Sequence, residues 1–178
     1  EVQHVLLHTA QALRWLRAEV VRWMNEGLNE QQVLARMHYP AELFDVPWMK
    51  PTYGDPSYIV RDIYRSENGW WDRNPTTLHP EPPEVVGEAI AAAITDKAAV
   101  IASAQALADA GRWQLALHVI DLLATAVGDA PEITQARQLK AAWLRQRAGQ
   151  VASYVSRNLY KVSADLIEQG TQTRFGIR

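Results

Sequence analysis

Apolar residues recur at helical spacing along most of the chain. Val2, Val5, Leu6, Leu13, Leu16, Val20, Trp23 and Met24 form one such series, which predicts a long amphipathic helix over residues 3–26, stopped by Gly27. Asn29 followed by Gln32 predicts a capping box that opens a short helix from Glu30 to Met37. The periodicity then fails. The segment HYPAELFDVPWMKPTYG carries three prolines and four aromatics, which predicts a packed, irregular path with one helical turn at most around Ala41 to Phe44. Asp55-Pro56 sets a capping acid before a proline at the first helical position, so a helix should run from there to about Asn68 and end at Gly69.

The next stretch, GWWDRNPTTLHPEPP, has adjacent tryptophans and four prolines, and can be neither a helix nor an ordinary solvated linker. Beyond it the pattern turns alanine-rich and helical again. Helices are expected from Glu84 to about Ile94, from Thr95 or Asp96 to Ala110, and from Trp113 to Ala126. Two more should follow, from Pro131 to about Arg147 and from Gln150 to Gln169. No strand pattern occurs, so the fold class is all-α. Ala104, Ala108 and Ala116 let helices approach closely and Gly111 makes a tight turn, in the manner of a tetratricopeptide-like helical hairpin. One and a half such units fall short of the roughly three that stand alone, so the rest of the chain or a partner must complete the core.

Composition narrows the classes. The 178 residues are 48% hydrophobic, enough for a sizeable core. A net charge of −2 and no long basic run argue against nucleic acid and anionic membrane as partners. Zero cysteines exclude a disulfide framework, a thiolate metal site and a cysteine nucleophile, and leave cytoplasm and periplasm equally open. The opening EVQHVLLHTAQ has neither an initiator Met nor a basic leader, so the chain is expected to be a piece of something longer.

Five ordered motifs carry a family resemblance: Gly69-Trp70-Trp71-Asp72 with Asn74-Pro75, Leu78-His79-Pro80, Pro82-Pro83, Ala136-Arg137 with Leu139, and Arg157-Asn158 with Tyr160. With them, about Val5 to Ile167 resembles the dimerisation domain of bacterial metallo-β-lactamase-fold alkyl sulfatases. The resemblance implies a homodimer and a three-part parent: an N-terminal hydrolase domain with two zinc ions, this helical domain, and a C-terminal sterol-carrier-like domain. It also implies that the zinc ligands precede Glu1, so that this chain holds no cofactor and no catalytic residue of its own.

On the same comparison, residues 1–36 connect to the hydrolase domain, residues 37–83 cap its active site, residues 84–170 form the dimerisation core, and residues 171–178 are a tail. Tyr58 and Trp70 fall where the family has a histidine and a tyrosine facing the bound sulfate. A phenol titrating near 10, or an indole, does not replace an imidazole as a proton donor at neutral pH. Tyr58 could still bond an anion, and Trp70 could wall off an apolar substrate. Trp71, Asp72 and Asn74 complete the substrate-facing candidates, although Asp and Asn are turn formers by default.

Two further signals stand outside the motifs. His4 and His8 lie one helical turn apart, but two ligands do not make a metal site. Trp15 lies off the apolar stripe beside His8, Gln11, Glu19 and Arg22, and is the dimer-interface candidate unless the nearby VPWMKP segment covers it within the chain. The competing function is a free-standing tetratricopeptide-like adaptor that binds a peptide. The rigid proline-aromatic arm argues against it, and no Gly-rich phosphate loop or nucleophile elbow supports a self-contained enzyme.

Overall fold

The computed structural model describes residues 1–170, and the expected tail, residues 171–178, lies outside the described residues. The described residues are all-α, with nine helices: α1 Val2–Asn25, α2 Glu30–Arg36, α3 Ala41–Phe44, α4 Pro56–Asn68, α5 Pro83–Ala93, α6 Lys97–Asp109, α7 Trp113–Ala124, α8 Pro131–Gln150 and α9 Tyr154–Glu168. Two short 3-10 turns, Pro47–Met49 and Pro75–Thr77, interrupt the segments expected to be irregular, each opened by its own proline. The chain divides into two compact units, Glu1–His79 and the residues from Pro80 onward.

In the first unit, local chemistry sets the helix ends. The Asn29 side chain accepts from the Gln32 amide and the Gln32 side chain from the Asn29 amide, completing the capping box. Asp55 accepts from the Ser57 amide at 2.9 Å, Pro56 occupies the first turn of α4, and Gly69 ends that helix at φ 75°. Helix α1 packs on α2, α3 and α4 around Leu16, Val20, Val33, Val60 and Tyr64. Not all of the apolar series of α1 reaches this core: Val2, Leu6 and Leu13 are exposed. Trp15 is half-buried with its ring 5.7 Å from Phe44 and tilted edge-on to it, so α3, just before the VPWMKP segment, covers part of it within the chain.

In the second unit, α6, α7, α8 and α9 pack in chain order, with α5 against α7. Ala104, Ala108 and Ala116 are fully buried, as their small size predicts for closely approaching helices. The motif residues Arg137 and Arg157 serve the backbone. Arg137 donates to the carbonyls of Ala124, Ala126 and Gly128, closing the end of α7, and Arg157 donates to those of Val151 and Ala152. The last helix boundary differs from expectation. Helix α8 runs through Gly149 to Gln150, and α9 begins only after Ser153, whose hydroxyl accepts from the Ser156 amide. An in-chain cap four residues on outweighed the glycine.

Candidate functional site

The Trp70–Asn74 turn follows α4 directly, and polar bonds hold it. Asp72 Oδ1 accepts from the Asn74 amide at 2.9 Å and from the Thr77 hydroxyl at 2.6 Å, Asn74 Oδ1 accepts from the Thr76 amide, and the Trp71 indole donates to the Asn74 carbonyl at 3.2 Å. These are the bonds expected of turn-forming Asp and Asn. Arg73 anchors the turn to the rest of the unit: its guanidinium donates to the Gly27 carbonyl and to Asn68 Oδ1. Asn68 in turn donates to the Tyr64 hydroxyl, which donates to the Leu28 carbonyl. Arg73 itself sits at φ 67°, a region that costs a non-glycine residue on the order of 1 kcal/mol and persists only where the surroundings enforce it.

Of the two indoles, Trp71 helps to hold the turn through its N–H. Trp70 is 73% exposed and Trp71 36%. Hydrogen bonds of Asp72, Arg73 and Asn74 supply the rest of the order and leave the Trp70 indole projecting.

A cavity of about 320 Å³ lies under the turn, lined by Trp70, Trp71, Asp72 and Asn74 together with Glu30, Tyr64 and Arg65. Spacing gives no sign of the last three, since residue 30 meets residues 61 and 65 only through tertiary packing. Glu30 takes a bond from Arg61 at 2.9 Å and from Arg65 at 3.1 Å, joining α2 to α4. Tyr58 is not part of this cavity. It occupies the first turn of α4, about 15 Å along the helix axis from Asn68, the last residue of that helix, at 1.5 Å per residue. The cavity therefore combines an indole wall with a guanidinium already engaged by a carboxylate. That arrangement suits binding and orientation rather than proton transfer.

Asp72 supplies a pH test. The Thr77 hydroxyl, and then the Asn74 amide, hold its carboxyl below the usual aspartate range. Because the folded value is depressed, the bracing is fully present above the unfolded value of about 3.9 and is lost as pH falls through the lower folded value. Acid titration is expected to shift the Trp71 indole N–H resonance in the wild type and to leave it still in Asp72→Ala. Equal titration in both would show that Asp72 does not brace the turn.

Among the described residues no group of three or more His, Cys, Asp or Glu is placed to hold a metal ion. His8 Nε2 is bonded to the Leu43 carbonyl at 3.0 Å, and the Trp48 ring packs edge-on against both His4 and His8. No helix of the described residues is long and apolar enough to cross a membrane.

Comparison with known proteins agrees with this architecture. The chain is 29% identical over 170 residues to a linear primary-alkylsulfatase of Pseudomonas sp., covering 94% of this chain and 31% of that protein. It is 27% identical over 161 residues to an alkyl/aryl-sulfatase of Saccharomyces cerevisiae, covering 90% of this chain and 24% of that protein. The chain thus spans less than a third of the length of these relatives. Among solved structures, a double mutant of the sec-alkyl sulfatase PisA1 superposes with a TM-score of 0.83 at 27% identity, over 98% of this chain and 27% of that one. The stereoselective inverting sec-alkylsulfatase Pisa1 from Pseudomonas sp. gives 0.76 at 28% identity, over 90% of this chain and 25% of that one. Residues 29–170 match the family described as alkyl sulfatase dimerisation, and the chain belongs to that family.

Proposed function

We propose that this chain is the homodimerisation and active-site-capping module of a zinc-dependent alkyl-sulfatase-like hydrolase, non-catalytic by itself. Membership of the dimerisation family supports self-association. The observation that carries the capping role is the braced turn, which holds the Trp70 ring largely in solvent. An exposed, preorganised indole is suited to covering an apolar chain and excluding water at a neighbouring site. Tyr58 would bond an anion from its separate position at the start of α4. The two zinc ions, and the metallo-β-lactamase-fold domain that would hold them, lie outside these residues. A second copy would meet only the part of Trp15 that Phe44 leaves open.

In the protein that joins this chain to its hydrolase domain, Trp70→Ala is expected to raise KM for a long-chain alkyl sulfate about tenfold, the loss of roughly 1.4 kcal/mol of apolar contact. The dimer should survive, because the turn is held by polar bonds that do not involve that ring. An unchanged kcat/KM would remove the capping role and leave self-association standing.

A further inference from the structure

Helix α4 ends on a reactive pair of residues. Of the five asparagines in the chain, Asn68 alone is followed by glycine. Asn25 and Asn29 precede glutamate, Asn158 precedes leucine, and Asn74 precedes a proline, which has no amide N–H. A backbone nitrogen can attack the side-chain amide of the asparagine before it, and glycine, lacking a Cβ, leaves that nitrogen unhindered. The same asparagine is a hub beneath the Trp70–Asn74 turn. Asn68 is half-buried; its Nδ2 donates to the Tyr64 hydroxyl at 3.3 Å and its Oδ1 accepts from Arg73 at 3.0 Å. The Gly69 amide donates to the Arg65 carbonyl at 2.9 Å, capping α4. Both reacting groups are therefore occupied in the folded turn.

We propose that Asn68-Gly69 is a deamidation site whose reaction the folded turn holds in check, and whose isoaspartate product unlatches that turn. Solvent base takes the Gly69 amide proton, and the nitrogen attacks Asn68 Cγ. The new N–Cγ bond forms as the Cγ–Nδ2 bond breaks, and the side-chain nitrogen leaves as ammonia. Water then opens the cyclic imide at either carbonyl, giving aspartate or isoaspartate. Nothing is oxidised or reduced, and water is the only co-reactant. The check is local: attack needs the Gly69 N–H to leave the Arg65 carbonyl and the Asn68 amide to turn away from Tyr64 and Arg73. Such openings at a helix end cost less than global unfolding, so the site reacts slowly in the native chain and fast in the unfolded one.

The two products act differently on the turn. Aspartate at position 68 keeps the acceptor for Arg73, now charge-assisted, and loses only the donor to the Tyr64 hydroxyl. Isoaspartate routes the main chain through the former side chain and lengthens it by a methylene, so the Gly69 amide no longer meets the Arg65 carbonyl and Arg73 loses its partner. Arg73 holds φ 67° only while its surroundings enforce it, and its remaining bond to the rest of the unit is the 3.3 Å contact with the Gly27 carbonyl. The turn then opens.

Ageing the full chain in mildly alkaline buffer, with and without urea, tests the first half. Peptide mass and elution distinguish asparagine, aspartate and isoaspartate at position 68. Deamidation there is expected to run about tenfold or more faster in urea than in the native chain, as exposure by unfolding predicts. Arg73→Ala, which frees Asn68 Oδ1, should react at a rate between the two, while Gly69→Ala should slow the reaction in urea. No product at position 68 in urea would overturn the site, and equal rates with and without urea would overturn the check. An Arg73→Ala chain as slow as wild type would remove Arg73 from it. The second half is read by trypsin on chain aged in urea and refolded. Molecules carrying isoaspartate should be cut between Arg73 and Asn74 about tenfold faster than fresh chain, since cleavage follows the population of the open form. Asn68→Asp, which has the charge without the rerouted backbone, should be cut as slowly as fresh chain. Isoaspartate molecules that resist trypsin as fresh chain does would overturn the unlatching, and so would an Asn68→Asp chain cut as fast as they are.

Discussion

Asp121→Leu is expected to lower the stability of the chain by about 3–5 kcal/mol, the penalty for stranding a buried charge. Lys140 is a helix-interior residue of α8 whose side chain is only 10% exposed, and its ammonium lies 2.7 Å from Asp121 Oδ1 on α7. The two partners are not equivalent, because the Asp121 side chain is 35% exposed and already reaches water. Lys140→Met should therefore cost less, roughly 1–2 kcal/mol, since the carboxylate it abandons can be solvated. The double change Asp121→Leu with Lys140→Met replaces the pair by apolar groups of similar size and should return close to wild-type stability. Chemical denaturation of the four chains measures the cycle. Equal losses from the two single changes, or an Asp121→Leu chain within 1 kcal/mol of wild type, would show that the ion pair is not buried as described.

Gly87→Ala is the second large effect, and two opposing terms decide it. Gly87 is buried inside α5, where an alanine would ordinarily favour the helix by up to about 1 kcal/mol. Here its Cβ would lie 2.5 Å from the Thr125 carbonyl oxygen and 2.9 Å from the carbonyl carbon, at the end of α7. Those are backbone atoms, and Thr125 is held in place by its hydroxyl bond to the Asp121 carbonyl at 2.8 Å. Relief requires α5 to move away from α7. Overpacking of this kind costs about 1–3 kcal/mol, which exceeds the propensity gain. The melting temperature should fall by about 4–8 °C for each kcal/mol lost in a unit of this size. Gly149→Ala serves as the control, because a Cβ there meets nothing within 4 Å, and it should hold or raise the melting temperature. A Gly87→Ala chain as stable as Gly149→Ala would sink the claim of close approach.

What could be read from the chain is what neighbouring residues settle between themselves. Asn29 and Gln32 cap each other, Asp55 caps a helix that Pro56 starts, and Gly69 and Gly111 take the positive φ that ends a helix, so the element order and the all-α class follow from spacing and local bonding. The same holds for the turn at Asp72 and Asn74, whose side chains bond amides two residues on. Where a local signal conflicted with a better one nearby, as at Gly149 and Ser153, pattern alone misplaced the boundary.

Tertiary structure decided which apolar positions are covered. Periodicity gives the face of a helix but not what lies opposite it. Val2, Leu6 and Leu13 therefore shared a series with Leu16 and Val20 yet remain exposed, while Trp15, off that series, found Phe44. Partners distant in the chain were equally invisible: Glu30 with Arg61 and Arg65, and the Gly87 approach to Thr125. So was the exposure of Trp70, since a tryptophan's burial depends on the atoms brought to it by packing, and here hydrogen bonding held the turn without them.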